Sequence, residues 1–332
     1  MAEQAALAIS GHSPRSLEYF PIGLYGSVMG LSGLSVAWHL AHVRFGVADL
    51  VADVIGATAA IAFVLVTCAY AVKILTAPSA VRNEFAHPIA GNLFGTLFIS
   101  LLLLPINLAP LSMLFARVMW SIGALGMTGF AWFVVDRWMR QRQKMAHAAP
   151  AWVIPVVGLL DVPLAMPALD LDAMHGIALF GLAVGLFFTI PLFTMIFARL
   201  LFEEALPDAL QPSLVILLAP FAVGTSTYIA TTGRVDEFAI GLFLLAVFML
   251  SVLLGRLRNL AQCCPFRVSW WAVSFPLAAS ATASLRIATS MPGTWTTLVS
   301  IALLALATIV IAGLLIRTVV GIGRGQLRTL SA

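Results

Sequence analysis

Residues 269–280 read SWWAVSFPLAAS, a proline inside an apolar run followed by small residues. Proline deletes a backbone donor and kinks a helix. In lipid that loss is tolerable only where protein or a wet cavity satisfies the freed carbonyls. A membrane span with such a proline belongs against protein or around a lumen. The pattern occurs three more times upstream. Residues 98–110 read FISLLLLPINLAP, 152–163 read WVIPVVGLLDVP and 215–226 read VILLAPFAVGTS.

Working outward, the 332 residues are 61% hydrophobic and 10% charged, with a mean hydropathy of +1.03. Such a composition places the chain among polytopic membrane proteins. Ten apolar stretches are expected, at 22–40, 50–75, 89–108, 111–135, 152–169, 174–201, 213–231, 238–254, 268–287 and 295–316. A span needs about 20 residues, so ten of them leave only short loops. The odd and even stretches differ. The third, fifth, seventh and ninth carry Pro105, Pro155 with Pro163, Pro220 and Pro276, and the first carries Gly23, Gly26, Gly30 and Gly33. Among the even stretches only the sixth has an internal proline, Pro191. The fold expected is all-α integral membrane: ten transmembrane helices as five hairpins pointing the same way. The odd helices form an inner ring around a central pore, and the even helices an outer ring.

Cations orient this arrangement. With the N-terminus inside and the spans alternating, Arg15, Lys73, Arg82, Arg137, Arg140, Arg142, Lys144, Arg199, Arg256, Arg258, Arg267, Arg317, Arg324 and Arg328 collect on the cytoplasmic side. Only Arg44, Arg117, Arg234 and Arg286 fall on the other. This is a positive-inside pattern. It places both termini in the cytoplasm and the chain in the plasma (inner) membrane, with tails at 1–19 and 319–332 around a channel domain at 20–318. The polar first 19 residues do not read as a cleaved signal peptide. The net charge of +4 reports orientation and implies no nucleic-acid partner.

Several residues carry candidate chemistry. Asp161 lies within the fifth span, where an acid is a functional candidate by default. It reads as a proton-coupling carboxylate or as the partner of Arg117 or Arg286. Those two arginines read alternatively as attractors of anions at an outer vestibule. Gly26 and Gly30 serve either close helix packing or a widened pore. Pro105, Pro155, Pro220 and Pro276 shape kinks or line the lumen. Cys68 reads as a small buried hydrophobe, and the adjacent Cys263 and Cys264 as thiols at the cytoplasmic mouth. Most of the eight Trp read as belt anchors at the interfaces. The phosphate-binding, zinc-protease and nucleophile-elbow motifs are missing from the sequence, and no metal or cofactor is expected.

The motif Trp270-Trp271-Ala272-Val273-Ser274-Phe275-Pro276 resembles the ninth helix of the tellurite-resistance/dicarboxylate transporter family, which includes bacterial tellurite-resistance anion channels and plant guard-cell slow anion channels. Phe20-Pro21-Ile22-Gly23, Asp53-Val54-Ile55-Gly56, Tyr70-Ala71-Val72-Lys73, Glu84-Phe85-Ala86-His87-Pro88 and Leu218-Ala219-Pro220-Phe221 extend the likeness along the chain. The resemblance implies a quasi-five-fold protomer with its own pore, assembled as a homotrimer in the lipid bilayer. It implies that Phe275, beside Ser274, plugs the pore. The implied activity is passive passage of small inorganic anions; the alternative is a secondary transporter of C4-dicarboxylates of the malate type, coupled to protons through Asp161. An enzyme is not implied.

Overall fold

The computed structural model describes residues 17–331 apart from Cys264, and only the backbone of residues 256–263. Arg15 and Cys264, and the side chains of Arg256, Arg258 and Cys263, lie outside the described residues. The described residues are helical throughout, with no strand. The main helices are α1 (Tyr25–Phe45), α2 (Leu50–Thr76), α3 (Gly95–Leu108), α4 (Met113–Arg140), α5 (Ile154–Val157), α6 (His175–Phe202), α7 (Ala219–Thr232), α8 (Glu237–Cys263), α9 (Ser274–Ser290) and α10 (Thr294–Gly323). Two short helices, Pro78–Ala86 and Leu327–Ser331, complete the order.

Every odd helix is entered through a 3-10 segment. These are Ile22–Leu24 before α1, Ala90–Phe94 before α3, Pro150–Val153 before α5, Asp208–Leu218 before α7 and Val268–Val273 before α9. The fifth element also continues as 3-10 through Gly158–Ala165. The even helices are continuous α-helix, with a single 3-10 turn, Asp172–Met174, ahead of α6. The prolines explain part of this. Pro155 and Pro220 sit in the first turn of α5 and α7, where the missing N–H has no partner to lose. Pro276 is likewise the third residue of α9. They start α-helices more than they kink them. Pro105 lies deep inside α3, and among the even helices Pro191 lies inside α6.

Inner packing follows the odd elements. α1 packs on α3 and α9, α3 on the 3-10 segment Gly158–Ala165, that segment on α7, and α7 on α9. The five odd elements therefore close on one another. Each even helix covers its own odd partner and also touches the next: α2 on α3, α4 on the fifth element, α6 on α7, α8 on α9 and α10 on α1. Their outward faces are apolar and exposed, as at Leu125, Phe187, Ile190 and Ile309. Cys68 lies on this exposed face of α2 rather than in the core.

Among the described residues, seven helical stretches are long and apolar enough to cross a membrane: 50–76, 90–108, 113–140, 172–202, 208–232, 237–255 and 294–323. The stretches expected at 22–40, 152–169 and 268–287 do not meet that measure. α9 carries Ser274, Ser280, Thr282, Ser284 and Arg286, and the fifth element is broken by prolines. Surrounded by protein, they need not be apolar enough for lipid.

Several tryptophans tie neighbouring elements together. Trp271 donates to Thr318 Oγ1 and Trp38 to Thr308 Oγ1, each at 3.0 Å. Trp120 donates to Val162 O at 3.0 Å, and Trp152 to Pro88 O at 3.0 Å. Only Trp132 and Trp295 are strongly exposed. Ahead of α8, Asp236 accepts from the backbone of Phe238 and Ala239 and from Tyr228 Oη. The Tyr228 hydrogen bond holds this carboxyl below its ordinary range, so the cap stays charged.

Candidate functional site

Two cavities lie inside the ring. The larger, of about 570 Å³, opens at the end where the odd elements begin. The smaller, of about 30 Å³, lies further along the same elements. All five odd elements contribute to both, and they do so as stripes. Met29 lines the larger cavity and Gly33 and Val36 the smaller; Ile99 is followed in the same way by Leu103 and Ile106. Asp161 is followed by Leu164, and Ala219 and Val223 by Ser226. On α9, Phe275 is followed by Ala279, Thr282 and Arg286. Spacings of three and four keep each set on one helix face.

Phe275 and Val223 line both cavities. The Phe275 ring is 8% exposed. Beyond it stands an apolar collar of Val36, Leu103, Ile106, Leu164 and Val223. A narrow passage walled by such side chains holds water poorly, and a bulky ring in it is a barrier to ions.

The glycines of α1 split between two roles. Gly23 and Gly26 line the larger cavity and Gly33 the smaller. Gly30 instead faces Ser274, whose Oγ and Cβ occupy the space a side chain would need. Ser274 is fully buried and donates to Trp271 O at 2.7 Å and Gly26 O at 3.1 Å. Gly30 and Ser274 thus set the close approach of α1 and α9. At Gly33 an added methyl would stand 3.4 Å from the Phe275 ring and 3.1 Å from Ala278, so α1 also backs the ring. Pro276 lines the larger cavity. Pro105, Pro155 and Pro220 line neither cavity.

Asp161 is 2% exposed and lines the larger cavity. Its Oδ1 has no hydrogen-bond partner. The expected pairing with Arg117 or Arg286 is not made. Arg117 sits at the periphery of α4, donating to Leu169 O at 2.8 Å and facing Asp170 at 3.5 Å. That is a surface pair of small energetic weight, and it removes Arg117 from the interior. Arg286 lines the smaller cavity, and its buried Nε has no partner. The backbone near Asp161 is satisfied from neighbouring helices. Pro163 supplies no N–H to Leu160 O, and Thr227 Oγ1 donates to that carbonyl instead. Trp120 serves Val162 O.

One cluster escapes a reading of the sequence. Glu84, in the helix Pro78–Ala86, accepts from Lys73 Nζ at 2.6 Å, Tyr70 Oη at 3.0 Å and Ile22 N at 2.8 Å. Lys73 also donates to Phe20 O at 2.7 Å. Three separated motifs thus form one knot beside Pro21 and His87 at the wall of the larger cavity. Of the tail expected at 319–332, residues 319–323 extend α10, and Leu330 and Ser331 of the short helix Leu327–Ser331 line that cavity.

Comparison with known proteins identifies the family. The family model SLAC1, described as voltage-dependent anion channel, matches residues 19–319. The S-type anion channel SLAH3 of Arabidopsis thaliana is 27% identical over 314 residues, covering 91% of this chain and 48% of that protein. The guard cell S-type anion channel SLAC1 of the same plant is 24% identical over 286 residues, covering 82% of this chain and 50% of that protein. The chain therefore spans about half the length of these plant relatives. A tellurite resistance protein TehA homolog of Haemophilus influenzae is 28% identical over 269 residues, covering 79% of each. With a match running through all five odd elements that line the two cavities, this chain belongs to the SLAC1 family of voltage-dependent anion channels.

Proposed function

We propose that this chain conducts small inorganic anions passively through the axis of its own five-element ring, with Phe275 as the gate. In this reading ten helices cross the plasma membrane, both termini are cytoplasmic, and three copies assemble as a trimer with one pore each. The observation that carries the reading is the place of Phe275 on both cavities. An ion moving from one cavity to the other passes that ring. Displacing the ring by a rotamer change joins the two spaces without moving a helix. Arg286 supplies positive charge on one side of it, which favours anions over cations.

The second reading is a C4-dicarboxylate carrier. The larger cavity is of ligand size, and the unpartnered Asp161 carboxyl on its wall suits proton coupling. The smaller cavity is too narrow for a dicarboxylate, which favours the channel. Recordings from the purified protein in planar bilayers separate the two. A channel gives currents that reverse at the chloride or nitrate equilibrium potential and exceed carrier turnover. Saturable malate counterflow, without such currents at either of two pH values, contradicts it.

A further inference from the structure

We propose that the small cavity beyond Phe275 is a binding site for one small monovalent anion, held by the Arg286 guanidinium and the Ser226 hydroxyl. The proposal deepens the conduction reading by placing an anion on the pathway, but binding itself does not require that the pore conduct.

Two observations converge there. Arg286 Nε and Ser226 Oγ are both buried and both without a partner, and both residues line the same cavity. A buried polar group without a partner costs about 1–3 kcal/mol, and more when charged. Two such residues on the lining of one space mark a ligand that satisfies both. The guanidinium only donates hydrogen bonds and the hydroxyl can donate, so the ligand must accept. Thr282 adds a further hydroxyl to the lining. No carboxylate lines the cavity, so the site carries a single positive charge to be balanced. The surrounding collar is apolar, which strengthens a charge pair relative to water.

Ser226 differs from its neighbours in a telling way. Thr225 bonds back to Phe221 O at 2.8 Å, and Ser280 to Pro276 O at 2.7 Å. Such bonds to a preceding turn are the ordinary resting place of a helical hydroxyl. Ser226 makes none, although the residue lines the cavity. Size selects the ligand further. About 30 Å³ admits a particle on the scale of a water molecule or a halide, and excludes malate while Phe275 stands in place.

The test is calorimetric titration of the purified protein with sodium bromide, gluconate serving as the ion too large for the site. The expected result is one bromide per chain. Arg286→Gln should weaken binding by more than about tenfold, Ser226→Ala by a few-fold, and Arg286→Lys should recover part of the loss. If Arg286→Gln does not fold, Ser226→Ala and Arg286→Lys carry the test. The proposal is overturned if the wild type takes up no bromide, if none of these variants at Arg286 or Ser226 weakens binding, or if gluconate binds as well. Bromide binding without any bilayer current would keep the site and overturn the channel reading instead.

Discussion

Compare α2 with the element that leads into α7. α2 runs unbroken for 27 residues, and only 22% of its apolar window is buried. The stretch Asp208–Thr232 begins with 11 residues of 3-10 helix, and 72% of its window is buried. The outer helix must satisfy its own backbone, because lipid offers no partner. The inner element borrows partners from its neighbours, as Leu160 in the fifth element borrows the Thr227 hydroxyl. The difference shows what the outer layer provides: shelter within which irregular, polar, proline-bearing helices can surround a pathway. If that is right, substitutions at inner contacts and at inner–outer joints should cost much more than those on the outer face.

The largest effect on stability is expected where the two layers are knotted. Glu84→Gln leaves the buried Lys73, whose side chain is 3% exposed, without its counter-charge. The expected loss is about 3–5 kcal/mol, read as a large fall in the unfolding midpoint in detergent. A midpoint near that of the wild type would mean that the knot does not hold the layers together.

Next is the approach of α1 to α9. Gly30→Ala forces a methyl into Ser274 and should cost about 1–3 kcal/mol by overpacking. Adding Ser274→Gly, which clears that space, should restore most of the loss. The same midpoint measurement checks both variants, and failure of the second change to rescue the first would place the strain elsewhere.

Asp161→Asn removes the titratable carboxyl from the wall of the larger cavity without changing its shape. Under passive conduction the anion current of the variant should lose any pH dependence of the wild type and be no smaller than the wild-type current, since the amide never carries a charge that repels anions. A fall in current, with loss of pH-dependent malate uptake, would favour the carrier instead. At the small end of the scale, Phe187→Leu and Ile309→Leu on the exposed outer face should stay within about 0.5 kcal/mol of the wild type. A larger loss there would reveal contacts that the isolated chain does not make.

The sequence showed the two layers unequally. α2, α4, α6, α8 and α10 stand out because continuous apolar runs are what lipid requires. The inner elements were marked by their prolines, but their 3-10 geometry was not legible. It depends on tertiary partners, such as a hydroxyl 67 residues away from the carbonyl it serves. For the same reason the pairing proposed for Asp161 failed, since charge and approximate depth do not fix which helix faces which. Gly30 and Gly26 share one stripe in the sequence, yet one packs on Ser274 and the other lines a cavity. Phe275 is one of 21 phenylalanines, and only the resemblance singled it out. Its position on both cavities is a property of the fold. The Glu84 cluster was invisible because its members come from three motifs with no shared period.

Current through the wild type and Phe275→Ala in planar bilayers, with symmetric chloride, tests the gate most directly. Removing the ring should raise the conductance by more than an order of magnitude while the reversal potential in a chloride gradient stays at the anion equilibrium value. Equal conductance from folded protein of both kinds would mean that the ring does not obstruct the path between the two cavities.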